Sequence, residues 1–68
     1  MKLISIIVPV YNEETVLPVF YRELAMSLSS LKDYDLEIIF VDDGSTDATR
    51  HVLKALQAAD GRINVIRL

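Results

Sequence analysis

Two apolar runs hand over to acidic turns at matching places along this 68-residue chain. Leu3-Ile4-Ser5-Ile6-Ile7-Val8-Pro9-Val10 runs into Tyr11-Asn12-Glu13-Glu14, and Leu36-Glu37-Ile38-Ile39-Phe40-Val41 into Asp42-Asp43-Gly44-Ser45-Thr46-Asp47. The first run is nearly unbroken rather than alternating, which is the pattern of a parallel strand covered on both faces. Between the runs, Leu17, Phe20, Leu24, Leu28 and Leu31 recur at three- and four-residue spacing and predict one apolar helix face. That helix is expected to begin near Glu14 or Thr15, with Asn12 or Thr15 as N-cap. Pro18 then falls in the first turn, where its missing N–H is not needed. Lys32-Asp33-Tyr34-Asp35 reads as the polar connection that ends it. A second strand is expected at about Glu37 to Val41 and a second helix from about Ser45 to Asp47 onward. This helix presents Ala48, Val52, Ala55, Leu56 and Ala59 inward and closes at Asp60-Gly61, with glycine where a helix C-cap favours it. A third strand follows at about Ile63 to Leu68.

The β-α-β-α-β order predicts an α/β, Rossmann-like parallel sheet. Right-handed crossovers give a strand order of three-two-one. Strand one would then form an edge although it is among the most apolar segments, and exposed apolar edges pair with other chains. The expectation is the opening part of a larger domain, with self-association through the open strand-one edge as the other outlet. A chain of this size buries only roughly 60% of its unfolded surface. Its 51% hydrophobic content nevertheless speaks against disorder.

Charge and cysteine usage narrow the function classes. The net charge is −3, and the basic residues Lys2, Arg22, Lys32, Arg50, Lys54, Arg62 and Arg67 are scattered singly, which gives nucleic-acid binding little support. The absence of cysteine rules out thiolate metal sites and disulfides, and fits a reducing, cytoplasmic setting. The apolar run after Lys2 is interrupted by Pro9 and ends in acids without a cleavage pattern, so it reads as a strand rather than a leader.

In an open parallel sheet the strand-to-helix handovers share one edge, where ligands bind. Carboxylates gathered there suit a sugar, a nucleoside or a metal better than a bare phosphate, which needs donors. An acid at the end of strand two can accept from ribose hydroxyls or a base N–H. The first turn lacks G-x-G-x-x-G, which disfavours a conventional dinucleotide site. Tyr11 can offer an aromatic face to a base, with Glu13 as an acceptor beside it. A purely structural reading stands alongside: Asp43 or Ser45 capping helix two, with Asp47, Glu13 and Glu14 placed at positive helix ends. His51 has no imidazole or cysteine partner, and Ser27, Ser29 and Ser30 have no base to activate them.

Val8-Pro9-Val10-Tyr11-Asn12-Glu13-Glu14, followed about thirty residues later by Val41-Asp42-Asp43-Gly44-Ser45-Thr46-Asp47, resembles the N-terminal segment of family 2 glycosyltransferases with the GT-A fold. Within that family it is most similar to the polyprenyl-phosphate branch, the dolichol-phosphate mannosyltransferases and bactoprenol glucosyltransferases. The resemblance implies that Pro9, Tyr11, Glu13, Val41 and Asp43 line a nucleotide pocket, with Asn12, Asp42 and Gly44 in support. It implies a nucleotide-diphosphate sugar as donor, a UDP-sugar by preference, and a polyprenyl phosphate as acceptor. It further implies Mg²⁺ or Mn²⁺ held by a later acidic motif absent from these residues, not by Asp42-Asp43. The cytoplasmic face of a membrane is the implied location for the full-length family, and the 68 residues alone are not expected to turn over substrate.

Two other readings remain open. One is a non-catalytic fragment. The other is a receiver-like signalling domain, which also gathers acids at this sheet edge. Receivers, however, carry the paired acids after strand one and a phosphoacceptor after strand three, whereas here the pair follows strand two.

Overall fold

In the computed structural model, which describes residues 2–68, strand β1 (Lys2–Val10) leads through a turn into helix α1 (Leu17–Leu28). Strand β2 (Tyr34–Asp42), helix α2 (Thr49–Ala59) and strand β3 (Ile63–Arg67) complete the order. The three strands form one parallel sheet in the order β1-β2-β3, the same neighbours as the expected three-two-one. Val10 pairs with Asp42 and Asp42 with Arg67, so the C-terminal ends of all three strands are level.

The pleat sends alternate residues to opposite faces. Val10, Ile38, Phe40 and Ile63 are buried against Leu17 and Leu28 of α1 and Leu53 of α2, with Ile6, Val8 and Val65 at the margin. Both helices therefore lie on one face, as right-handed crossovers running the same way require. The other face carries Leu3, Ile7, Pro9, Ile39, Val41 and Ile66 and has no layer over it among the described residues; Leu3 is 59% and Ile7 66% exposed. The unbroken apolar run of β1 predicts cover on both sides, and here one side has it.

Several boundaries differ from expectation for identifiable reasons. α1 begins at Leu17 rather than Glu14 or Thr15, with no side-chain cap, because Asn12 is engaged elsewhere and Pro18 itself starts the helix. Phe20 and Leu31, expected in the apolar face, are more than a third exposed; α1 ends at Leu28, so Leu31 lies beyond the helix. β2 begins at Tyr34, so the expected polar connection is partly strand. α2 begins at Thr49, and neither Asp43 nor Ser45 caps it. Ala55 and Ala59 face solvent. Gly61 does not adopt a left-handed C-cap; α2 ends instead through extended Asp60, whose side chain accepts from the Arg62 backbone N–H at 3.0 Å.

Candidate functional site

The two acidic turns interlock. Asn12 stands at φ 49°, a left-handed conformation asparagine tolerates. Its Oδ1 reaches across to the second turn and accepts from the backbone N–H of Thr46 at 2.8 Å and of Asp47 at 3.3 Å. In return, the Asn12 backbone N–H donates to Ser45 Oγ at 3.0 Å, and Ser45 Oγ–H donates to Asp42 Oδ1 at 2.6 Å. The Ser45 N–H also donates to Asp42 Oδ1, at 3.0 Å. One residue on, Glu13 N–H donates to Thr49 Oγ1 at 2.8 Å, and the Thr49 hydroxyl donates to Asp47 Oδ1. That hydroxyl bond, first among several, holds the Asp47 carboxyl below the usual range. Gly44, at φ 71°, lets the chain double back between Asp42 and Ser45.

This clamp divides the acidic residues by role. Asp42 is fully buried on the helix side, and Asn12 Oδ1, the Ser45 and Thr49 hydroxyls and the Asp47 carboxylate are taken up in the interlock. Tyr11, Glu13 and Asp43 are exposed, and their side chains make no hydrogen bond among the described residues. Pro9 and Val41 are register partners across the β1–β2 ladder, on the uncovered face. The fold thus brings Pro9, Tyr11, Glu13, Val41 and Asp43 to one open sheet edge, and the Asp43 N–H continues the ladder to Val10 O at 3.1 Å. The supporting residues part ways: Asn12 and Asp42 build the clamp, and Gly44 supplies its turn.

Asp42 and Asp43 are no metal pair, because one is buried under the helices and the other is exposed. Among the described residues, no three His, Cys, Asp or Glu side chains converge, and these carboxylates do not fit a divalent-cation site. His51 is exposed on α2. The interlocking roles of Asn12 and Thr49 were not foreseen. An asparagine in the turn two residues past a strand, a residue type that tolerates the left-handed region, is the one local sign of the first.

Ligands of open α/β sheets bind outside the carboxyl ends of the strands, and here that edge carries the exposed acids Glu13 and Asp43. Residues 5–68 match the family described as glycosyl transferase family 2, and the chain belongs to that family. It is similar to a prophage bactoprenol glucosyl transferase homolog of Escherichia coli (strain K12), 46% identical over 57 residues, or 84% of this chain. The bactoprenol glucosyl transferase of Shigella phage SfV and an SfII prophage-derived one of Shigella flexneri are 47% identical over the same length. The matches span 18% of the length of those relatives.

Proposed function

We propose that this chain is the nucleotide-binding segment of a glycosyltransferase that moves a sugar from a UDP-sugar to a polyprenyl phosphate at the cytoplasmic face of a membrane. The observation that carries it is the open edge formed by Pro9, Tyr11, Glu13, Val41 and Asp43, where the Tyr11, Glu13 and Asp43 side chains make no hydrogen bond among the described residues while Asn12, Ser45 and Asp42 bond to one another. Asp43 is the acceptor for a base N–H, Tyr11 the aromatic face beside it, and Pro9 with Val41 a flat apolar floor. The names of the bactoprenol relatives favour a polyprenyl acceptor. In that displacement an acceptor phosphate oxygen bonds to the anomeric carbon, and the carbon–oxygen bond to the nucleoside diphosphate breaks with its electron pair. These residues bind and orient the leaving nucleotide, and the proposal gives them neither a metal nor a proton-transfer role.

An amide NMR titration with UDP and then GDP tests it. The expected result is saturable shifts confined to residues 9–13 and 41–44, larger for UDP. Asp43→Asn should weaken binding by about tenfold, the worth of one charge-assisted hydrogen bond. Dispersed spectra unmoved by either nucleotide would refute the reading.

A further inference from the structure

The seven basic residues are scattered singly along the sequence, yet the fold gathers three of them, Arg50, Lys54 and Arg67, around one groove. The groove has a volume of about 230 Å³ and runs between α2 and β3 on the helix-covered face. Arg50 and Lys54 stand one turn apart on α2, above buried Leu53, and Val65 and Arg67 form the opposite wall. At its inner end lies Asp42. Asp42 Oδ1 is satisfied by Ser45, but Oδ2 is buried without a hydrogen-bond partner, 3.6 Å from Arg67 Nε.

Neither Arg50 nor Lys54 forms an ion pair among the described residues. Like charges four residues apart on a helix repel one another, and no carboxylate pairs with either among the described residues. Asp42 Oδ2 and Arg67 Nε form an ion pair at 3.6 Å, and Arg67 also lines the groove. Three convergent cations on a chain of net charge −3 favour an anion with several oxygens over a monocarboxylate. Leu53 and Val65 supply an apolar strip beside them.

We propose that this groove is a second site, for a phosphate-class oxyanion, with Arg50, Lys54 and Arg67 as donors and Asp42 as the positioning residue for Arg67. Asp42 shares the ladder with Val10 on the helix side, whereas Pro9 and Val41 face the other way, so the groove is separate from the nucleotide edge.

The test is an NMR titration of the chain with inorganic phosphate and with phenyl phosphate, each against sodium chloride at matched ionic strength. Saturable shifts at Arg50, Lys54 and Arg67, including the Arg67 Nε–H, are expected with both phosphates. A tighter response to phenyl phosphate identifies an organic phosphomonoester as the occupant, and equal responses identify free phosphate. Arg50→Gln with Lys54→Gln should weaken phosphate about tenfold or more while the UDP response of Tyr11 and Asp43 is retained. Arg67→Lys, which keeps the charge beside Asp42, should weaken phosphate without unfolding the chain. Shifts that chloride reproduces, shifts unaltered in the double variant, or a chain that phosphate neither orders nor perturbs would overturn the site. Apart from the UDP control on the double variant, these outcomes do not depend on UDP binding.

Discussion

Two residues in the left-handed region, one in each acidic turn, set the geometry of the candidate edge. Gly44 lies at φ 71°, and a Cβ built there meets nothing within 4 Å. Gly44→Ala should therefore cost only the backbone strain, about 1–2 kcal/mol, read as a lowered urea midpoint with an unchanged slope. Asn12, at φ 49°, is different because its side chain also holds the second turn. Asn12→Gly relieves the backbone but deletes the acceptor for Thr46 and Asp47, and should destabilise by about 1 kcal/mol or more. It should also blunt the UDP shifts at Asp43 across the clamp. Equal stability of Asn12→Gly and wild type would show that the Asn12 side-chain acceptor contributes no more than the backbone strain it sits on. The Asp-Gly-Ser turn was legible locally, since those residue types bend a chain wherever they stand. That Asn12 serves the other turn was not legible, because its partners lie 34 and 35 residues away and only strand register brings them together.

Between elements, the polar tie of α1 to the α2–β3 turn is a triad. Tyr21 Oη–H donates to Asp60 Oδ2 at 2.6 Å, and Arg62 grips the same carboxylate through Nε at 3.0 Å and a terminal nitrogen at 2.8 Å. The Arg62 hydrogen bonds, with help from Tyr21 and against the opposing effect of burial, hold the Asp60 carboxyl well below the usual range. A depressed folded value means stability that is present above the unfolded value of about 3.9 and lost as pH falls below it. Tyr21 is pushed up, first by the same hydrogen bond to Asp60. Its contribution is therefore complete below about pH 10 and lost as pH rises beyond. Tyr21→Phe should lower stability by about 1 kcal/mol at neutral pH and remove the alkaline loss expected of wild type in urea melts above about pH 10. An unchanged alkaline limb would place that loss in other groups. From the sequence, Asp60 reads only as the end of a helix, and Tyr21, four residues after Leu17, carries no local sign of a partner for its hydroxyl. The helix itself was plain from spacing, but which turn its flank would meet depends on how α1 lies across the sheet.

At the scale of the whole molecule, the sheet has one finished face and one bare one. Strand number, order and direction followed from apolar runs separated by helical spacing, because handedness leaves few ways to connect them. What composition could not say is which face of β1 is served, since residues on both sides are apolar and only the odd-numbered ones remain uncovered. Leu3, Ile7 and Ile66 lie at least 49% exposed on that face, and β1 has no neighbour on its outer side among the described residues. The Ser5 hydroxyl donates to Glu37 in the middle of the same face, and this polar bridge divides the apolar surface. An apolar face next to an open strand edge offers a second copy both area to bury and backbone groups to pair. Sedimentation velocity should therefore show association that grows with concentration. Ile7→Lys places a charge where the wild-type residue is 66% exposed and outside the core, so it should leave the melting transition nearly unchanged while shifting the chain toward monomer. Val8→Lys is the contrasting variant, since Val8 packs against the helix-side core and its replacement should unfold the chain instead. If Ile7→Lys associates as strongly as wild type, the bare face is not the contact, and pairing belongs to the β1 edge alone.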